Sequence, residues 1–250
     1  MSLALVTGAS SGIGAAFARA LAAEGYDLVV VARDSQRLAE HGGELAAKHG
    51  VTVTPLPADL TTADGRAVVE QRLADPATPV DLLVNNAGMA LNQSFLRSTP
   101  EDLDKLLALN IGAVQRLTRA ALPGMIERGR GDVVNVSSVA GFMAMGGSTY
   151  AASKAWVTNF SESVGLAVRK RGVRVMALCP GFTRTEFQQR AGIDRGGVPR
   201  WLWLSADKVV RDGLRDLRRG RLVSVPDWRY RTAVFGLRYG PRGLIQRRAR

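Results

Sequence analysis

The stretch Leu3-Ala-Leu-Val-Thr-Gly-Ala-Ser-Ser-Gly-Ile-Gly14 joins a short apolar strand to a turn that contains three glycines. An alanine-rich segment follows, in which Ile13, Phe17 and Leu21 recur at the spacing of one helical face. A strand, a glycine turn and a helix in this order bind a dinucleotide. The glycines let the backbone approach a pyrophosphate, and the helix N-terminus offers free N–H groups. The sequence therefore predicts an α/β fold with a phosphate-binding edge.

The glycine spacing is Gly8-x3-Gly12-x-Gly14 rather than Gly-x-Gly-x-x-Gly. A plain turn is the alternative for a lone glycine loop, but its place between strand and helix favours cofactor binding. The residues of this turn that we expect to contact the cofactor are Gly8, Ser10, Ser11, Gly12, Ile13 and Gly14.

The second apolar segment, Asp27-Leu-Val-Val-Val-Ala32, is followed directly by Arg33. An acidic residue at this point would bind the ribose 2′-OH of NAD, whereas an arginine fits a 2′-phosphate by its charge and its fork of donors. Arg33 therefore predicts NADP(H) over NAD, the alternative being a solvated arginine at a strand end. Asp59, in Ala58-Asp-Leu60, has two open interpretations: a partner for the adenine amino group, or a helix N-cap with Thr61 or Thr62.

The 250 residues, with 46% hydrophobic and 22% charged residues, suit one α/β domain over residues 1–250. A single cysteine, Cys179, excludes an internal disulfide and fits a reducing compartment. His41 and His49 lack cysteine partners, so no metal site is expected. The chain enters a strand directly after Met1 and has no apolar run long enough to span a bilayer, so we expect no signal peptide and a cytoplasmic protein.

The net charge is +12, but residues 201–250 hold 13 Lys+Arg against 4 Asp+Glu, which gives +9 of that total. A basic end on a nearly neutral domain argues against a nucleic-acid partner. Residues 228–250 contain seven arginines and no acid, and form a basic C-terminal tail. A solvated tail or a subunit contact is the favoured interpretation of this tail. Peripheral contact with anionic lipid at the inner face of a membrane is the alternative.

Two further strands end where a ligand would lie in a parallel sheet. Strand Val80-Asp-Leu-Leu-Val84 leads into Asn85-Asn-Ala-Gly88, and Gly131-Asp-Val-Val-Asn-Val-Ser-Ser138 delivers a serine. Between them, a long helix over residues 101–128 carries Asn110 on its apolar stripe. Residues 186–220 begin with an irregular insertion and are expected to hold a substrate lid in which tryptophans cover an apolar ligand, with ordinary core packing as the alternative.

Tyr150-Ala-Ala-Ser-Lys154 places a tyrosine and a lysine one helical turn apart. A nearby ammonium favours the phenolate and lowers the tyrosine pKa, which would let Tyr150 exchange a proton at neutral pH.

These motifs together resemble the short-chain dehydrogenase/reductase family, over residues 3–225. The resemblance implies a doubly wound Rossmann sheet of about seven parallel strands with helices on both faces. It also implies that Tyr150 is the general acid/base, that Lys154 binds the nicotinamide ribose and lowers the tyrosine pKa, that Ser138 holds the substrate oxygen and that Asn110 holds a water. Further cofactor contacts are expected from Asp59, Leu60, Asn86, Ala87, Gly88, Tyr150, Lys154, Pro180, Gly181, Thr183 and Thr185.

One spacing departs from the family. Eleven residues separate Ser138 from Tyr150, one fewer than is common, so Ser137 is an alternative catalytic serine. The sequence predicts an NADP(H)-dependent oxidoreductase that interconverts an apolar or acyl ketone and a secondary alcohol, as a homo-oligomer (a dimer or a tetramer). The alternative is a non-catalytic NADP-binding sensor or a membrane-associated scaffold.

Overall fold

The computed structural model describes residues 2–187 and 198–239. Within these residues, seven strands form one parallel sheet in the order β3-β2-β1-β4-β5-β6-β7. The strands are β1 Leu3–Thr7, β2 Asp27–Ala32, β3 Val53–Pro57, β4 Leu82–Asn85, β5 Gly131–Val136, β6 Val173–Leu178 and β7 Val223–Ser224. This topology confirms the predicted doubly wound Rossmann sheet.

Helices cover both faces of this sheet. The helices are α1 Gly12–Ala23, α2 Ser35–His49, α3 Ala63–Ala74, α4 Pro100–Leu107, α5 Val114–Glu127, α6 Thr149–Val168, α7 Ala206–Arg218 and α8 Trp228–Tyr239. Phe17 of α1 and Leu214 of α7 pack with Val6 in one buried cluster. Leu117 of α5 packs with Leu5 in the other. Neighbouring β1 residues thus enter opposite cores, as the alternation of side chains along a strand requires.

The strand order reverses at β1, which pairs with β2 on one side and β4 on the other. Ligands of open α/β sheets bind outside the carboxyl ends of the strands at such a point. The register pairs Val6 with Val84, Asn85 with Asn135, and Val136 with Leu178. The predicted motifs that follow these strands therefore start at the carboxyl ends of the strands, on the same side of the sheet.

Strand β3 runs over Val53–Pro57, and its prolines are tolerated because β3 is an edge strand with one unpaired side. The predicted helix over residues 101–128 contains a π-turn, Ala108–Ala113, between α4 and α5. The last strand is only Val223–Ser224, at the other edge of the sheet.

The segment expected to hold a lid, residues 186–220, is described only in part. Residues 188–197 lie outside the described residues. Helix α7, by contrast, buries Val209, Val210 and Leu217 in the main core. Helix α7 is therefore part of the hydrophobic core, and the lid stays a prediction.

The first half of the basic tail is the helix α8. It docks on the domain by burying Tyr230 and Val234, while Trp228 remains 70% exposed. Arg238 pairs with Glu162 of α6 at 3.0 Å. Residues 228–239 are therefore part of the folded domain rather than a solvated tail, and residues 240–250 lie outside the described residues. No helix in the described part of the chain is long and apolar enough to cross a membrane.

Candidate active site

The glycine turn after β1 has the backbone that only glycine adopts easily. Gly8 and Gly12 have φ values of +65° and +59°. A Cβ at Gly14 would lie 2.2 Å from the Gly8 carbonyl oxygen, so the helix packs directly on the turn. The first turn of α1 carries no acidic residue. The turn therefore offers backbone N–H groups and a positive helix end to an anionic group.

Thr7 fastens this turn to the next motif along the sheet edge. Its hydroxyl donates to the Val84 carbonyl (3.3 Å) and accepts from the backbone N–H groups of Asn86 (2.9 Å) and Ala87 (3.0 Å). The Asn86 side chain donates back to the Thr7 carbonyl at 2.9 Å. Sequence reasoning assigned Thr7 no role. The available signal was a hydroxyl residue at the strand end, immediately before the first glycine.

The ends of β2 and β3 bring Arg33 and Asp59 into electrostatic contact. Asp59 accepts from the Thr61 N–H (2.9 Å) and hydroxyl (2.7 Å), whereas Thr62 is the N-cap of α3. The N-cap interpretation of Asp59 is therefore wrong. Partial burial raises the pKa of Asp59, but the bonds from Thr61 and the charge of Arg33 outweigh it and hold that pKa below its usual value. Leu60 is buried.

Tyr150 and Ser138 form the polar centre of the cleft. Ser148 caps α6 by accepting from the Ala151 N–H at 3.2 Å, which places Tyr150 in the first helical turn. The Ser138 hydroxyl lies close enough to the Tyr150 phenol to act on its pKa. Ser138 also accepts from the Ala140 N–H at 3.1 Å.

Ser137 points the other way, into the core. Its side chain is buried, donates to the Lys154 carbonyl at 2.7 Å and lies 2.8 Å from the Thr158 hydroxyl. Because successive residues of an extended segment face opposite sides, only one of the two serines reaches the cleft. That residue is Ser138, and the short spacing is absorbed in the loop between Ser138 and Tyr150.

Lys154 is 4% exposed, and its ammonium donates to the Val136 carbonyl at 2.8 Å. The ammonium lies 5.7 Å from the centroid of the Tyr150 ring. Burial lowers the pKa of Lys154 to about 8. Burial also raises the pKa of Tyr150 to about 12 and outweighs the opposing effect of the Ser138 hydroxyl. The predicted lowering of the Tyr150 pKa is therefore not found, and the phenol holds its proton at neutral pH.

Asn110 lies in the π-turn and is fully buried. Its amide oxygen accepts from the Met89 N–H (2.9 Å), and its amide nitrogen donates to the Met89 carbonyl (2.9 Å) and the Ser153 hydroxyl (3.0 Å). Ser153 in turn donates to the Tyr150 carbonyl at 2.8 Å, a link that sequence reasoning missed. Both N–H groups of Asn110 are thus used, so a water held here must donate to its amide oxygen or bind its backbone. A Cβ at Gly88 would lie 3.2 Å from that oxygen.

The segment after β6 completes the edge. Thr183 is buried and donates to the Gly181 carbonyl at 2.9 Å. Thr185 lies against the glycine turn, since a Cβ at Gly12 would come within 3.2 Å of its side chain. Cys179, which precedes Pro180, is buried, and burial raises its pKa to about 11. This thiol is therefore inert. Within the described ranges, no three His, Cys, Asp or Glu residues are grouped as metal ligands.

The family model described as short chain dehydrogenase matches residues 2–196. The chain belongs to the short-chain dehydrogenase/reductase family. A ketoacyl reductase, HetN of a Nostoc species, is 34% identical over 212 residues, which cover 84% of this chain and 72% of that protein. Among the solved structures, a short-chain dehydrogenase from Sphingobium yanoikuyae in complex with NADPH is 39% identical, with a TM-score of 0.89 and coverage of 98% and 96%. A bulky-bulky ketone specific alcohol dehydrogenase from Comamonas testosteroni is 33% identical, with a TM-score of 0.84 and coverage of 98% and 94%.

Membership of this short-chain dehydrogenase/reductase family agrees with an α/β oxidoreductase that acts between alcohols and ketones. The motifs that resembled the family at the sequence level are brought together at one edge of the sheet. Ser138 lies close enough to Tyr150 to act on its pKa, and a Cβ at Gly88 would lie close to both Lys154 (3.4 Å) and Asn110.

Lys154→Met is expected to raise the free energy of unfolding at pH 7. The pKa of Lys154 is about 8 instead of 10.5, so burying its charge costs about 3 kcal/mol of folding free energy. Methionine avoids this cost but loses the hydrogen bond to the Val136 carbonyl, which offsets part of the gain. Since the unfolded chain binds this proton more tightly, wild-type stability should rise between pH 8 and 10. Urea unfolding at pH 7 and pH 10 measures both effects. Lys105→Met, at an exposed position, is the control. An equal change of unfolding free energy in the two variants would contradict the buried charge of Lys154.

Proposed function

We propose that the protein is an NADP(H)-dependent reductase that converts a ketone into a secondary alcohol, and the reverse. The observation that carries this proposal is the proximity of the Tyr150 phenol to the Ser138 hydroxyl, at the carboxyl ends of the strands and beside the buried Lys154. Two hydroxyl donors that share one side of a cleft suit an oxygen on which negative charge develops.

The residues present fit a nicotinamide dinucleotide. The turn of Gly8, Gly12 and Gly14 leaves no room for side chains and presents a helix N-terminus to a pyrophosphate. Arg33 stands at the end of β2 for a 2′-phosphate. When bound, the reduced cofactor supplies the hydride. Other residues expected around it are Asp59, Leu60, Asn86, Ala87, Gly88, Tyr150, Lys154, Pro180, Gly181, Thr183 and Thr185.

In this proposal, Tyr150 is the acid of the reduction. Its phenol is protonated at neutral pH, because burial raises its pKa to about 12, and it gives this proton from Oη to the substrate oxygen. Ser138 donates a second hydrogen bond to the same oxygen. The positive charge of Lys154 then favours the phenolate that remains. In the alcohol-oxidising direction, Tyr150 takes the proton back.

Aromatic side chains indicate an apolar substrate. The Phe187 ring lies 5.6 Å from the Tyr150 ring, and Phe182 lies 5.6 Å from Trp203. The relatives that act on ketoacyl groups and on bulky ketones support a substrate of the same class. We therefore propose a bulky apolar ketone or an acyl ketone.

Arg33→Ala is expected to weaken NADPH binding far more than NADH binding. A lost charged hydrogen bond to the 2′-phosphate is worth about 1.5–3 kcal/mol, and NADH lacks that phosphate. Fluorescence titration with both cofactors measures the difference. Arg130→Ala is the matched control. Arg130 precedes β5, at the amino ends of the strands, so its replacement should affect the binding of neither cofactor. Equal losses for NADPH and NADH in Arg33→Ala would remove the 2′-phosphate assignment.

A non-catalytic NADP-binding sensor or scaffold is the second candidate, and the complete set of Tyr150, Lys154, Ser138 and Asn110 argues against it. The test is NADPH oxidation with a panel of apolar ketones. Cytoplasmic location, a homo-oligomer and contact of residues 228–250 with anionic lipid stay predictions. The exposed Trp228 and Arg231 favour the last of these only weakly.

A further inference from the structure

Tyr230, on the C-terminal helix α8, contacts the cofactor side of the candidate site. It is 7% exposed, and its ring lies directly over Gly181. A Cβ at Gly181 would come within 2.1 Å of the Tyr230 Cζ. Any side chain at position 181 would therefore displace this ring. The Pro180-Gly181 turn is shaped around a residue that lies 49 positions later in the chain.

The Tyr230 hydroxyl joins two segments that are distant in sequence. It accepts from the Phe182 N–H at 3.0 Å and donates to the Leu202 carbonyl at 2.7 Å. The same two segments are joined by the Leu204 N–H, which donates to the Phe182 carbonyl at 2.8 Å, and by the Arg184 N–H, which donates to the Leu204 carbonyl at 2.9 Å. Tyr230 thus adds the bonds nearest to Gly181.

The start of α8 is itself held firmly. Asp227 has a φ of +74° and accepts from the Arg229 side chain at 2.7 Å and 2.9 Å. The Arg229 bonds hold the pKa of Asp227 at about 2, so the pair stays charged at neutral pH. The Arg229 guanidinium lies 5.8 Å from the centroid of the Trp201 ring and bonds to the Trp201 carbonyl. Tyr230 is therefore presented from a fixed helix end.

We propose that Tyr230 is a positioning residue, which fixes the segment 180–185 at the nicotinamide end of the cofactor site. This rests on the proposed function, because residues 181, 183 and 185 matter to it only as cofactor contacts. Without the hydroxyl, the Phe182 N–H and the Leu202 carbonyl each lose a partner. The segment then has more freedom, and the cofactor must order it on binding.

The experiment compares Tyr230→Phe with Val234→Ala in the full-length protein. Tyr230→Phe keeps the ring over Gly181 and removes only the hydroxyl. Val234 is 8% exposed on the same helix, so its truncation weakens the docking of α8 without touching the hydroxyl bonds. NADPH affinity is measured by fluorescence titration, and amide hydrogen exchange is measured in peptides that cover residues 179–187.

Tyr230→Phe is expected to weaken NADPH binding about fivefold, the factor that corresponds to ordering one mobile side chain on binding. It should also speed exchange in the peptides of the 180–185 segment. Val234→Ala should lower the Tm and leave both readouts unchanged. Unchanged affinity and exchange in Tyr230→Phe, or equal changes in both variants, would overturn the positioning role. A wild-type protein that reduces no carbonyl would refute the proposed reaction, yet leave these two readouts measurable.

Discussion

Replacing Tyr150 by phenylalanine is expected to reduce the rate of ketone reduction by about 10²–10⁴-fold, the range for loss of a general acid. In the proposed mechanism the phenol is the proton donor, and burial keeps it protonated by raising its pKa to about 12. Phenylalanine keeps the ring that packs against Phe187. NADPH affinity should therefore change little. Initial rates of NADPH oxidation with apolar ketones and a fluorescence titration measure the two quantities separately.

Tyr26→Phe serves as the control for Tyr150→Phe. Tyr26 is half-buried immediately before β2, away from the carboxyl edge, and burial also raises its pKa. The control should retain full activity. Substantial activity in Tyr150→Phe would overturn the acid role. Wild-type protein that binds NADPH but turns over no carbonyl would favour the non-catalytic sensor.

The fold was predictable because its signals are local. The strand, turn and helix of residues 3–21 are contiguous, and φ values above zero at Gly8 and Gly12 are what glycine permits. Once parallel strands are assumed, the polar residues at their ends must share an edge. Asn110 was likewise visible as a polar residue on an apolar stripe, although the π-turn that holds it was not.

The parts that could not be predicted depend on contacts between distant segments. Nothing near Gly181 in sequence indicates that Tyr230 covers it. Thr7 became informative only when its hydroxyl was seen to hold the Asn86 and Ala87 amides. These partners are set by the packing of whole elements.

The predicted direction of the Tyr150 pKa shift was wrong for a different reason. A charge pair one helical turn apart lowers a phenol pKa if both groups face each other in a polar setting. Here Lys154 donates to Val136, and burial of the phenol dominates. Sequence spacing reports proximity along a helix, but it does not report desolvation.

Ser138→Ala and Ser137→Ala are expected to separate catalysis from stability. Ser138→Ala removes the donor beside Tyr150 and should lower kcat/KM by about 10²–10³-fold, as for loss of one oxyanion donor. Its stability should change little, since Ser138 is only half-buried. Kinetics with the preferred ketone and urea unfolding measure the two properties.

Ser137→Ala should give the opposite result. It removes the Ser137 bonds to the Lys154 carbonyl and the Thr158 hydroxyl, which stay bonded to each other. The loss of a buried hydrogen bond is expected to cost about 0.5–1.5 kcal/mol of unfolding free energy. Its kcat/KM should stay close to wild type, because its hydroxyl points into the core. The adjacent position is thus the matched control for each variant. A loss of activity in Ser137→Ala with retained stability, together with an active Ser138→Ala, would shift the catalytic serine by one residue and contradict the geometry of the cleft.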